Sequence, residues 1–310
     1  MGAVRGSADR PPMGPARAAR GATPESETAP GLRSSDSHMS PDRSTPTSAD
    51  LSAAPPKIPV LGVPISLTTY ESTLDWMDAM VAAGRKGYVC VAATHTVVAC
   101  GEDPELRRSV LAADLCVPDG QPLVWALAAL GHPLPDRVYG PDLMAHHCAR
   151  AARAGTRVFL YGGHDDAYVA RLTDRLTQRF PGLQVVGGVA PLYRELTESE
   201  AAEVAHVVNR ADPDVIWIGL GVPRQEKFMS AMRDRLNAPV LVGVGAAFDF
   251  HSGIVRQAPA VLQRHGLEWL FRLTQEPRRL WRRYAHNNPR FVLSFARQWG
   301  RQRLRRRFAS

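Results

Sequence analysis

Val215-Ile-Trp-Ile-Gly-Leu-Gly-Val-Pro-Arg-Gln-Glu-Lys227 is an apolar run that breaks at a glycine turn and restarts as a polar helix. A segment written this way folds as a strand buried on both faces and then a helix, the repeating unit of a parallel α/β sheet. Its glycines let backbone approach a ligand, and the helix N-terminus carries partial positive charge. Arg224, Gln225 and Lys227 stand within that first helical turn. An anionic, phosphate-bearing ligand suits such a place, although many ordinary βα turns share the pattern.

The same unit recurs along the chain. Strands are expected at Val60–Ile65, Tyr88–Ala93, Asp114–Val117, Arg157–Tyr161, Leu183–Val186, Val215–Ile218 and Val240–Val244. Helices are expected at Tyr70–Ala83, from Asp103 to about Ala113, and at Gln121–Leu130, Pro141–Ala154, Asp166–Phe180, Thr197–Arg210 and Gln225–Leu236. Pro104 in a first turn, Gly155 at a helix end and the Thr197–Glu200 capping pattern mark boundaries. Strands alternating with helices predict a Rossmann-like parallel sheet with helices on both faces. In such sheets ligands sit beyond the carboxyl ends of the strands. Asp119-Gly120, Gly162-Gly163, Gly219–Gln225 and Gly245–Asp249 all follow strands, so they can converge on one cleft.

Of the 310 residues, those up to about 56 are rich in Pro, Ser, Ala, Gly, Arg and Asp and poor in aromatic and β-branched types. Such a segment buries too little surface to offset its chain entropy, and residues 1–56 are expected to be disordered. The α/β domain is expected over 57–252 and a basic helical appendage over 253–310. No stretch of 18 apolar residues and no signal-peptide core is present. Cys90, Cys100, Cys116 and Cys148 show neither metal-ligand nor disulfide spacing, which fits a reducing cytosol and core packing. From Arg256 onward there are fourteen arginines against Glu268 and Glu276, a net of +12. Residues 1–255 therefore carry −4 of the chain's +8, so anionic partners belong to the C-terminal segment.

Several residues carry candidate chemistry. Asp119, in a Pro-Asp-Gly turn at a strand end, could take a proton from an attacking hydroxyl, or could simply N-cap the next helix. Asp249 could accept hydrogen bonds from a nucleobase or ribose, or could be a second N-cap. Arg137 could balance a diphosphate or lie solvated on the surface. Asp212-Pro-Asp214 could hold a divalent cation, but it precedes its strand and so belongs to the wrong edge of the sheet. His146-His147 and His251 lack a partner at ligand spacing, and no metal or cofactor site is expected.

The C-terminal segment interleaves arginine with Leu267, Trp269, Leu270, Phe271, Trp281, Tyr284, Phe291, Phe295 and Trp299. This composition suits a helix lying on anionic lipid. It also suits a nucleic acid backbone, which is the weaker reading, while a plain solvated tail does not explain the tryptophans. A nucleotide-cofactor oxidoreductase would need a third glycine after Gly219-Leu-Gly221, where Val-Pro-Arg stands instead.

Val117–Gly120, Arg137–Leu143, Phe159–Gly163, Gly219–Glu226, Val242–Asp249 and Gly266-Leu-Glu-Trp-Leu-Phe-Arg-Leu-Thr-Gln-Glu-Pro-Arg-Arg279 together resemble the WecG/TagA/CpsF glycosyltransferases, in order over roughly residues 58–295. The resemblance implies inverting, metal-free transfer of a sugar such as N-acetylmannosamine from a UDP-sugar. The implied acceptor is an undecaprenyl-diphosphate-linked sugar in cell-surface polysaccharide or teichoic acid synthesis. It implies Asp119 as the base and Gln225 as the cleft glutamine, with Arg137 on the donor diphosphate and Asp249 on the nucleotide. Gly120, Gly162, Gly163, Gly221, Arg224 and Glu226 fall in the matching substrate-binding motifs. Arg256, Arg264 and Arg272 fall in an appendage that holds the enzyme on the cytoplasmic face of the membrane and closes over the site. If protomers associate as a homo-oligomer, an appendage could reach a neighbour's cleft. The family often carries Thr-x-Asn after its second strand. Here Val91 and Ala93 take those places, and Thr94 and His95 are the expected substitutes. A non-catalytic homologue is the alternative that this departure leaves open.

Overall fold

A computed structural model describes residues 54–192, 194–259, 261–262 and 266–307, all within one compact unit. The expectation for residues 1–56 therefore lies outside the described residues, except for 54–56. Six parallel strands form the sheet: β3 (Gly87–Ala92), β4 (Leu115–Pro118), β5 (Arg157–Gly162), β6 (Gln184–Val189), β7 (Val215–Gly219) and β8 (Val240–Gly243). Their order across the sheet is β4-β3-β8-β7-β5-β6. Helices cover both faces, as the alternating pattern requires.

Period-two alternation divides the strand residues between two cores. Val89, Val91, Val158, Leu160, Val215, Trp217, Val240 and Val242 face one cluster. That cluster is covered by α1 (Tyr70–Ala82), α5 (Gly140–Ala154), α6 (Asp166–Arg179) and α9 (Ala247–His251). Tyr88, Cys90, Cys116, Phe159, Tyr161, Ile216, Ile218 and Leu241 face the other. It is covered by α2 (Thr94–Glu102), α3 (Pro104–Leu111), α4 (Gln121–Ala129), α7 (Glu198–Ala211) and α8 (Arg224–Met232). The four cysteines are buried and free, consistent with core packing.

β5 and β7 are neighbours, but the chain leaves them in opposite directions. From β5 it passes through α6 to the edge strand β6, and from β7 through α8 to the central β8. A crevice opens at such a switch point. There the two backbones touch: a Cβ on Gly162, whose φ is +147°, would stand 2.8 Å from the Gly219 carbonyl oxygen. Gly162→Ala is expected to cost about 1–3 kcal/mol through this overlap, read as a lower urea midpoint with the m-value unchanged.

Several elements differ from the sequence-based expectation, the short helix α9 among them. Val60–Ile65 is not one strand but a hairpin of β1 (Lys57–Val60) and β2 (Val63–Ser66), antiparallel and separate from the main sheet. Leu61 and Gly62 turn it with φ of 51° and 80°, the two positive values that a tight two-residue hairpin loop demands. Thr94–Glu102 is a helix that the periodicity did not show. The appendage resolves into α10 (Glu268–Gln275) and α11 (Pro277–Arg307). Along α11, Phe291 is buried and Phe295 and Trp299 pack against the same core as α2 and α4. These three aromatics are thus spent on packing, not held out for lipid. No helix among the described residues is long and apolar enough to cross a membrane.

Candidate active site

Asp119 sits where β4 ends. Its N–H donates to the Ala92 carbonyl at 2.8 Å, and its own carbonyl accepts from Arg137 Nη1 at 3.4 Å. Residue 118 is held from the other side, its carbonyl accepting from Val138 N at 2.8 Å. The turn is therefore fixed at both ends. The N-cap of α4 is Gly120, so Asp119 does not cap its own helix. Its Oδ1 instead accepts from Gly140 N at 2.8 Å, at the positive end of α5. Burial pushes the Asp119 carboxyl up to about 6; Arg137 opposes the shift, while the Glu268 carboxylate adds to it.

Two adjoining cavities meet at this carboxyl. The first opens at the switch point and is lined by Gly163, Tyr168, Gly221, Gln225, Gly245 and Asp249. The second lies between α4 and the appendage, lined by Gly120, Arg137, Trp269, Tyr284, Phe291 and Val292. Asp119, His95, Arg272 and Arg283 line both. Thr94 lines the second cavity and Arg224 the first. Burial, and then Arg283 and Arg272, lower His95 to about 3, so it stands there as a neutral imidazole. With three guanidinium groups and a raised carboxyl around one void, the site can bind a diphosphate and accept a proton.

Gln225 is buried at the β7 exit, its Oε1 accepting from Gly221 N at 3.1 Å. Asp249 is inside α9, after the Ala246 N-cap, so the capping alternative fails here too. Its Oδ1 accepts from the Tyr168 hydroxyl at 2.9 Å, and His164 Nε2 lies 4.0 Å away. Arg137 is buried, pairs with Glu268 at 2.7 Å and lies over the Tyr139 ring at 4.2 Å. It is no solvated surface arginine.

The remaining site expectations divide. Gly163 lines the first cavity, while Gly162 lines neither and serves the backbone approach to Gly219. Glu226 is wholly buried and lines neither cavity, which corrects its expected role as a substrate contact. Arg256 is exposed and also lines neither, its carbonyl accepting from Gln275 Nε2 at 3.1 Å. Arg264 lies outside the described residues. Asp214, of the discarded aspartate pair, accepts from Arg157 N at 2.7 Å at the amino edge of the sheet. Sequence reasoning missed Arg283, Tyr168, Glu268 and Tyr139. Glu268 had a signal as one of two acids in an arginine-rich segment, and Tyr139 lay inside the Arg137–Leu143 motif without a role assigned to it.

The profile of the family described as "Glycosyl transferase WecG/TagA/CpsF family" matches residues 58–305, most of the chain. Two curated proteins are similar, each called N-acetylglucosaminyldiphosphoundecaprenol N-acetyl-beta-D-mannosaminyltransferase. The one from Bacillus spizizenii is 34% identical over 191 residues, covering 62% of this chain and 71% of that protein. The one from Bacillus subtilis is 29% identical over 233 residues, covering 75% of this chain and 88% of that protein. The residues that line the twin cavities around Asp119 all lie within the matched residues 58–305, and the chain belongs to the WecG/TagA/CpsF family of glycosyltransferases.

Proposed function

We propose that the protein transfers a sugar, of the N-acetylmannosamine kind, from a UDP-sugar to an undecaprenyl-diphosphate-linked N-acetylglucosamine, with inversion at the anomeric carbon. The observation that carries this reading is that Asp119 lines both cavities at once. The cavity with Gly221, Gln225, Asp249 and Tyr168 takes the donor. Asp249 and Tyr168 suit ribose or base hydroxyls, and the turn glycines let the diphosphate near backbone N–H groups. The cavity with Trp269, Tyr284 and Phe291 takes the acceptor, aromatic faces against sugar; Arg137 lines this cavity and not the first, so we assign it to the acceptor diphosphate instead of the expected donor diphosphate. Asp119 removes the acceptor hydroxyl proton as that oxygen attacks the anomeric carbon, and UDP departs with the bonding pair. Arg272 and Arg283 balance its growing charge in the role a metal ion could otherwise fill. Gln225 orients the sugar or the leaving phosphate.

The two named relatives, whose acceptor is a lipid-linked N-acetylglucosamine by their printed names, support the acceptor assignment. Exposed Trp269, Leu270, Trp281, Val292 and Leu293, set among arginines, support peripheral attachment to the cytoplasmic membrane face. UDP release from a panel of UDP-sugars, with N-acetylglucosaminyl-diphosphoundecaprenol as acceptor and EDTA present, tests the reading. We expect release with one N-acetylhexosamine donor and none without acceptor. Silence with every donor would favour the non-catalytic homologue that Val91 and Ala93 suggest. A strict Mg²⁺ requirement would overturn the metal-free step.

A further inference from the structure

Behind the donor cavity, α8 buries a carboxyl that the reaction does not touch. Glu226 is 0% exposed. Its Oε1 accepts from Gln225 Nε2 at 2.9 Å within the core, while its Oε2 has no hydrogen-bond partner among the described residues. Among the groups around it are Tyr88, Cys90, Cys100 and Cys116, from β3, α2 and β4, whose ionisation its charge disfavours. Burial pushes it up to about 7. For the fold alone this is a poor choice, because an apolar side chain of the same volume would avoid burying a polar group without its full set of partners.

A carboxyl can do one thing there that methionine cannot: distinguish the two ends of the neighbouring amide. Gln225 presents two chemically opposite ends of nearly identical shape, an acceptor oxygen and a donor nitrogen. Gly221 N offers only a proton, and it takes Oε1 at 3.1 Å. Glu226 Oε1, as a carboxylate oxygen or as the carbonyl oxygen of the neutral acid, offers a lone pair, and it takes one hydrogen of Nε2. The two partners agree on a single orientation. One Nε2–H remains for an oxygen in the cavity that Gln225 lines. Close packing holds the rest of the side chain, since a Cβ on Gly243 would reach 3.2 Å from its Cγ and Cδ.

We infer that Glu226 is a positioning residue which, with the Gly221 N–H, locks the Gln225 amide so that its free N–H faces the substrate. This rests on the transferase reading of the cleft. The test uses the full-length protein in a double-mutant cycle of Glu226→Met, Gln225→Ala and the pair, with Glu226→Gln as the conservative variant. Glu226→Met is expected to lower kcat/KM by about 10–100-fold, as a misplaced contact does. In the Gln225→Ala background it should change kcat/KM less than about twofold, because the amide it positions is gone. Glu226→Gln should stay within about threefold of the parent, since its own Oε1 can accept the same bond. An equal loss in both backgrounds, or parental turnover in Glu226→Met, overturns the inference. If Glu226→Met does not fold, Glu226→Leu carries the same cycle.

A second readout needs no turnover. The Gln225 carboxamide resonances, identified by their absence in ¹⁵N-labelled Gln225→Ala, should exchange slowly with solvent in the parent. They should shift and exchange faster in Glu226→Met; resonances unchanged by the substitution overturn the inference. Proteins inactive with every donor would sink the transferase reading, and this spectrum would still decide the role of Glu226.

Discussion

Asp119→Asn is expected to lose about 10²–10⁴-fold in sugar transfer, the contribution of a positioned general base, while binding UDP-sugar as the parent does. The asparagine fills the same space and can still accept from Gly140 N, so the turn between β4 and α4 survives. What goes is the capacity to take a proton from the acceptor hydroxyl. The pH dependence identifies the group. With the carboxyl pushed up to about 6, kcat/KM of the parent rises through that pH, and the residual activity of the variant lacks the rise. Stability separates this from damage to the fold. The folded protein keeps the Asp119 proton to a higher pH than the unfolded chain, whose carboxyl titrates near 3.8. Its contribution is therefore complete below about pH 4 and is lost as the pH rises through 6. Asparagine suffers no such loss. At pH 8 the variant should match or exceed the parent in stability by on the order of 1–3 kcal/mol, reduced by the partial exposure of Asp119 to the cavity. Near-normal turnover by Asp119→Asn would remove this carboxyl from catalysis.

The second large effect concerns Arg137 and Glu268, whose side chains are 9% and 10% exposed and meet at 2.7 Å. Glu268→Leu leaves a guanidinium buried beside Tyr139 without its counter-ion. Removing one member of such a pair costs about 3–5 kcal/mol, so the urea midpoint should fall accordingly. Arg137→Met, which strands the carboxylate instead, should cost a similar amount. Combining the two recovers most of the stability, because an apolar pair of like volume can replace a buried ion pair nearly without loss. Activity should not recover with it, since Arg137 is assigned to the acceptor diphosphate. A double variant no more stable than either single one would mean that the pair is not the dominant interaction. Turnover restored with stability would free Arg137 from the diphosphate.

The strand-to-turn-to-helix units were legible because each strand is buried on both faces, so it reads as a continuous apolar run ending in glycine. Trp217 between Ile216 and Ile218 illustrates this: neighbouring residues enter opposite cores, and all must be apolar. The convergence of Asp119, Gln225 and Asp249 followed from strand polarity alone. The hairpin was hidden because Leu61 takes a positive φ that its identity does not announce. The helix α2 was hidden because Thr94, Thr96, Val97 and Val98 are β-branched and its N-cap is Ala93, which has no capping atom. Thr96 Oγ1 accepts from the Ala93 N–H at 3.3 Å, but no side chain among the described residues caps the first-turn N–H groups. For α11 a signal existed: Phe291, Phe295 and Trp299 repeat every four residues, the spacing of one packed helical face. Interleaved arginines drew the reading toward lipid. Arg283, Glu268 and Tyr168 reach the site from elements distant in sequence, which local patterns do not disclose.

The long helix α11 is fastened at several points. Near its middle, Glu102 of α2 holds His286 at 3.2 Å and also Arg290. Farther on, Gln298 takes the Leu61 N–H at 2.7 Å and donates to the Pro59 carbonyl at 2.8 Å, while Trp299 Nε1 donates to the Ala129 carbonyl at 3.1 Å. Gln298 stands 15 residues beyond Arg283, about 22 Å along the helix with Pro289 between them, so the hairpin grips the half of α11 opposite to the one that carries Arg283 over the shared void. The small ribbon thereby acts as a second footing: with Glu102 holding His286 and Arg290 close to Arg283, it helps fix the line of the helix that brings a guanidinium into the reaction chamber.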